Sequence, residues 1–169
     1  SYYHKEGIPS EAVRLYLANI TSSAFESWFL ANPTLDIKDF KFEFKKMNKS
    51  GALFDVNKLM NISKTYISRL KADDLYERVS KYLKEYDINF YNVFTNDKKY
   101  SINILNIERE VKKPRKDIGK YSDVFKEINY MYDEYFNPLY ENKSLDGNMY
   151  LEYVKTVFDV NDDKNTWFN

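Results

Sequence analysis

Cysteine is absent from this 169-residue chain, and His4 is the single histidine. The first absence excludes disulfides and thiolate metal sites, and the second leaves no pair of imidazoles for zinc or haem, so no bound metal is expected. An excess of charge is missing too, since 26 basic and 26 acidic side chains leave a formal net charge of zero. Attraction to nucleic acid must then come from local clustering and not from a global field. There is no apolar run of about 18 residues, and Ser1-Tyr-Tyr-His-Lys-Glu lacks the apolar core of a signal peptide. A soluble, cytoplasmic protein without a membrane partner is expected. Glycine and proline are scarce, four of each, and apolar residues recur at helical rather than alternating spacing, so the expected fold class is all-α.

Candidates for chemistry are also lacking. His4 has no evident serine or cysteine partner. The acidic pairs Asp73-Asp74, Asp133-Glu134 and Asp162-Asp163 fall at helix starts or on solvated faces, where capping explains them without a buried general acid.

What is present is a series of amphipathic helices, in a length that suits one good core or two small ones. Pro9-Ser-Glu opens a helix with Ala12, Val13, Tyr16, Leu17 and Ile20 on one face. A second helix carries Phe25, Trp28 and Phe29 and stops at Pro33. Asp36 to Phe44 fits either a short helix or, by the alternation of Phe40, Phe42 and Phe44, a strand. Asp55 is placed to cap a helix that buries Val56, Leu59, Met60, Ile62, Tyr66, Ile67 and Leu70. Asp73 or Asp74 caps the next, with the stripe Leu75, Tyr76, Val79, Tyr82, Leu83 and Tyr86. A short helix spans 89–94, and Asp97 caps another that runs through Glu108 until Pro114 ends it. Further helices are expected over 123–136 and 148–159. Asp162 to Phe168 reads as the first turn of a helix that does not continue, and Ser1 is not an initiator methionine, so an excised fragment is expected.

The sharpest electrostatic signal is the window 109–120. Arg109, Lys112, Lys113, Arg115, Lys116 and Lys120 face only Glu110 and Asp117 there. Cations on a turn can follow a phosphate backbone, while the same residues could also serve a helix end as favourable partners of its dipole. Of the many aromatic rings, Tyr121, Tyr130, Tyr132 and Tyr135 lie near this turn, where a ring could stack on an unpaired base.

Two stretches carry a family resemblance. Residues 50–70, Ser-Gly-Ala-Leu-Phe-Asp-Val-Asn-Lys-Leu followed by Ser-Lys-Thr-Tyr-Ile-Ser-Arg-Leu, and residues 106–124, Asn-Ile-Glu-Arg-Glu-Val-Lys-Lys-Pro-Arg-Lys-Asp-Ile-Gly-Lys-Tyr-Ser-Asp-Val, resemble glutamyl-tRNA synthetases on the C-terminal side of their catalytic domain. The resemblance implies a multihelical stem-contact region over 1–70, followed over 71–169 by the beginning of the α-helical cage that binds the anticodon arm, incomplete at its C-terminus. It implies tRNA(Glu) and the synthetase's own catalytic domain as partners. It adds Lys58, Lys64 and Arg69 as candidate phosphate contacts beside the six cations of the turn. The family's reaction, ATP- and magnesium-dependent attachment of glutamate to tRNA, belongs to a domain this chain lacks, so no cofactor is expected here. Lys46-Met-Asn-Lys-Ser50 is one residue away from the ATP loop of class I synthetases, but it has no glycine-rich strand-helix element around it and is not taken as a nucleotide site. The alternatives are a stand-alone helical protein-interaction module and, with least support, an unrelated small enzyme.

Overall fold

The computed structural model describes residues 2–32, 36–43, 45, 47, 53–137, 148, 151 and 152. Among the described residues the regular structure comprises eight α-helices and short 3₁₀ turns, and there is no β-strand. The all-α expectation therefore holds. Two units are distinguished, Ser1–Phe136 and Asn137–Asn169. In the second, Asn148, Leu151 and Glu152 are helical; the rest of the helix expected over 148–159, and the capped turn at 162–168, lie outside the described residues.

The first unit contains two apolar clusters. One is formed by α1 (Tyr2–Glu6), α2 (Ser10–Thr21), α3 (Ser23–Ala31) and α4 (Val56–Arg69), with Leu15, Tyr16, Phe25, Phe29, Leu59 and Ile62 at its centre. Ser22 ends α2 and caps α3, its Oγ accepting from the Phe25 amide. The buried face of α2 is rotated from the expected one: Ala12, Leu15, Tyr16 and Asn19 point inward at 3.6-residue spacing, while Leu17 is half exposed. Residues 36–43 are neither of the two forms the alternation allowed. Ile37–Asp39 is a 3₁₀ turn held by a reciprocal cap between Asp36 and Asp39. The chain beyond is extended without a strand partner, and Phe40 and Phe42 pack around Phe25 with ring centroids at 5.1 and 5.7 Å.

Asp55 caps α4 as expected, accepting from the Lys58 amide at 3.0 Å. Its own amide donates to the hydroxyl of the fully buried Tyr16 at 2.7 Å, which ties the start of α4 to the core. Asp55→Ala should cost about 1 kcal/mol, the usual value of a lost side-chain cap, read as a lower denaturation midpoint with an unchanged slope. Val56, expected inside, is exposed on the outer side of that first turn.

The second cluster is built from α5 (Ala72–Tyr86), α6 (Ile88–Asn96), α7 (Lys98–Leu105) and α8 (Asp123–Ile128). α5 packs on both α6 and α7, and Leu75, Val79, Leu83, Phe90, Phe94 and Val124 fill the interior. The predicted stripe of α5 is buried at Leu75, Tyr76, Val79 and Leu83, but Tyr86 is exposed. Tyr66 packs against both clusters and joins them.

Three boundaries differ from expectation. Neither Asp73 nor Asp74 caps α5. The capping position is Lys71, which makes no side-chain cap, and Glu110 from a distant loop accepts from the Ala72 amide at 3.3 Å. Pro114 does not end α7, which stops at Leu105. The last turn tightens to i→i−3 bonds, from the Asn106 amide to the Asn103 carbonyl and from the Ile107 amide to the Ile104 carbonyl, both at 3.2 Å, and beyond it Glu108 and Glu110 adopt left-handed φ values of 51° and 46°, a conformation that cannot continue a right-handed helix. α8 is also shorter than expected, giving way to a 3₁₀ turn at Asn129–Met131. Among the described residues no helix is long and apolar enough to cross a membrane, and no group of three or more His, Cys, Asp or Glu could hold a metal ion.

Candidate nucleic-acid interface

The basic window lies on the loop between α7 and α8, and its own backbone and side chains hold it against the helix ends. The Arg115 amide donates to the Glu108 carbonyl at 3.1 Å, closing the loop. At the far end the Asp123 carboxylate accepts from the amides of Gly119 and Lys120, both at 3.1 Å. Ile118 is buried between these points, and Ser63 Oγ of α4 donates to the Gly119 carbonyl. The loop is thus pinned on both sides of its charged tip.

The six cations separate into three groups. Arg109 turns inward and is 7% exposed. Its Nε donates to the Leu105 carbonyl at 2.8 Å, and one terminal nitrogen donates to the carbonyls of Ile67 at 2.7 Å and Leu70 at 3.3 Å. One guanidinium therefore satisfies the C-terminal carbonyls of α4 and α7, where a cation also meets the negative ends of both helices. Burial holds its pKa below the usual arginine value, while Asp117 and Glu110 act in the opposite direction.

Arg115 and Lys120 form the second group, each held by acids. Arg115 bonds Asp117 at 2.8 Å and lies 3.7 Å from Glu108. Lys120 bonds Glu6 at 3.0 Å, and that hydrogen bond raises its pKa. Lys112, Lys113 and Lys116 form the third and stand exposed. Lys116 Nζ donates to Thr65 Oγ1 at 3.2 Å, and Lys112 and Lys113 have no ion-pair partner among the described residues.

These three lysines line a half-open cleft of about 1210 Å³. Arg14 of α2, Lys38 of the 3₁₀ turn, Arg69 at the end of α4 and Arg78 of α5 complete its basic lining. Among the described residues the acids in the lining are Glu11, Asp36 and Glu110. Arg69 lies 4.7 Å over the Phe29 ring, and Arg78 bonds Glu11 at 2.9 Å. Burial works against charge on both partners of that pair, yet their mutual hydrogen bond, with the Tyr121 hydroxyl on Arg78, holds Glu11 below and Arg78 above their ordinary pKa values. Tyr66 lies beside them, its pKa raised by burial.

Lys58 and Lys64 do not reach the cleft. Lys58 pairs with Glu26 at 3.3 Å, and the stem of Lys64 lies against Gly119. Of the four tyrosines near the turn, only Tyr130 is exposed. Tyr132 is buried and bonded to Ser101, its pKa pushed up to about 12 by burial.

Comparison with known proteins identifies the lineage. No family profile matches the chain, and no solved structure matches it significantly. The glutamate–tRNA ligase of Clostridium perfringens (strain 13 / Type A) is 40% identical over 177 aligned residues, which cover 100% of this chain and 32% of the ligase. That of Acetivibrio thermocellus is 38% identical, covering 99% of the chain and 31% of the ligase, and that of Sorangium cellulosum is 31% identical, covering 99% and 30%. The chain belongs to the glutamate–tRNA ligase family. It spans about a third of the length of the curated relatives it matches, in agreement with the resemblance of residues 50–70 and 106–124. In this glutamate–tRNA ligase segment, part of the basic lining of the cleft was not visible as a motif. Arg14 and Lys38 lie far from the window 109–120 in sequence, and only packing brings them into the same cleft lining as the loop. Lys46 and residues 48–50, which resemble an ATP loop, lie outside the described residues.

Proposed function

We propose that this chain is a non-catalytic tRNA-binding part of a glutamate–tRNA ligase, which positions tRNA(Glu) for glutamylation by a catalytic domain elsewhere in the protein. In this reading, residues 1–70 are the stem-contact region and 71–169 the beginning of the helical cage. ATP and magnesium would act in the catalytic domain, and no step of that chemistry is assigned to residues of this chain. The observation that carries the reading is the loop tip with Lys112, Lys113 and Lys116. These are exposed cations on a backbone pinned at both ends, in a family whose named relatives are tRNA ligases. Neutralising phosphates releases condensed counterions and fixes the register of a folded RNA without reading its bases. Arg109 is not among the proposed contacts, because its donors are committed to helix-end carbonyls. The exposed Leu53 and Val56 beside the start of α4 are proposed to meet the catalytic domain, in keeping with the two thirds of the relatives' length that lies outside this chain.

Filter binding of tRNA(Glu) to the full-length protein across a salt series tests the reading. Binding should weaken with salt, with a log-log slope of roughly −0.7 to −0.9 per phosphate contacted. Reversing Lys112, Lys113 and Lys116 to Glu should weaken it about tenfold at low salt and flatten the slope. Binding that ignores salt, or that the reversals leave alone, would favour the interaction-module alternative.

A further inference from the structure

We propose that the cleft holds a phosphodiester stretch of the RNA against two cationic walls of its lining, Arg14 and Lys38 from α2 and the Ile37–Asp39 turn, and Lys112 and Lys113 from the loop after α7. This rests on the tRNA reading above and adds to it a wall outside the basic loop, built on α2 and on the turn at Ile37–Asp39.

The charge of the lining argues for an anionic occupant. Seven basic side chains face three acids, and each acid is already engaged: Glu11 with Arg78, Glu110 with the Ala72 amide, and Asp36 with the Lys38 amide. Arg14, Lys38, Lys112 and Lys113 have no ion-pair partner among the described residues, and the described lining carries four more cations than acids. Size argues for a polymer. At about 1210 Å³ the cleft exceeds the roughly 300–1,000 Å³ of typical small-molecule sites, and it is open, so a chain can enter and leave it.

The lining between the walls suits RNA in particular. Ile37, Leu70 and Val111 offer apolar surface to the ribose carbons that separate successive phosphates, while the cations take the phosphates themselves. The walls belong to different apolar clusters, Arg14 to the helix that carries Leu15 and Tyr16, and Lys112 and Lys113 to the loop that follows α7. A bound backbone would tie those clusters together, which gives the two walls a joint role that neither has alone.

The test uses the full-length protein and tRNA(Glu) in filter binding over a salt series, with thermal melting of every variant. Arg14→Glu with Lys38→Glu, and separately Lys112→Glu with Lys113→Glu, should each weaken binding about tenfold at low salt and flatten the log-log slope by about one to two units. Lys126→Glu, an exposed reversal on α8 outside the cleft lining, should stay within about twofold of the parent, since only the general field changes. The inference is overturned if the Arg14 and Lys38 pair leaves affinity and slope unchanged while the Lys112 and Lys113 pair lowers them. A parent protein that shows no salt-dependent tRNA binding would instead overturn the tRNA reading itself. Should the Arg14 and Lys38 reversals also lower the melting temperature, Arg14→Gln with Lys38→Gln decides. Weakened binding at parental stability supports the second wall, and parental binding refutes it.

Discussion

Arg109→Met should destabilise the fold by about 3 kcal/mol, because it leaves three helix-end carbonyls without their charged donor. At this chain length that corresponds to a fall in melting temperature of roughly 6–12 °C. Methionine keeps much of the packing volume, so the loss reports the hydrogen bonds more than a cavity. Arg109→Lys should fail nearly as badly, since one ammonium cannot reproduce the forked geometry that reaches Leu105, Ile67 and Leu70 together. A phosphate contact would behave in the opposite way, with tRNA affinity falling and stability preserved. Calorimetry and tRNA binding on the same variant therefore separate the two roles, and unchanged stability in Arg109→Met would refute the structural one.

Gly7→Ala is expected to cost about 2–4 kcal/mol, from the left-handed backbone and the forced shift together. Gly7 has φ +79°, and a Cβ there would stand 2.9 Å from the Ser122 amide nitrogen and 3.1 Å from that of Tyr121. These two neighbours are backbone and cannot swing away, and the Tyr82 ring stands 3.1 Å off as well. The shift would also disturb two links between the N-terminal segment and the start of α8. One runs from the Tyr121 amide to the Gly7 carbonyl at 2.8 Å, and the other from Ser122 Oγ to the Glu6 carbonyl at 2.9 Å. Chemical denaturation gives the measurement, and a change within about 0.5 kcal/mol would show that the junction yields easily.

Much of the helical framework was legible because its causes are local. Asp55 and Asp97 accept from amides three residues ahead, and the α5 stripe repeats every three or four residues. Most of the failures come from partners distant in sequence, and one from backbone conformation just past a helix end. The α5 start looked as if an adjacent aspartate capped it, but a glutamate 38 positions away does so. Proline looked like the terminator of α7, but two left-handed glutamates end it earlier. The six cations of the basic window looked equivalent, yet their partners include Ile67 of α4, Glu6 of α1 and Thr65 of α4.

Composition and periodicity by themselves determined the all-α class and the approximate positions of most helices, since these depend on residue type and on spacing of a few residues, while the stretches 50–70 and 106–124 carried the family resemblance. Tertiary structure alone decided which arginine became an internal clamp, which lysines remained exposed, and that Arg14 and Lys38 share a cleft lining with the loop. The reason is that a cation's role depends on the carbonyls and carboxylates it meets after packing, and those come from parts of the chain far removed in sequence.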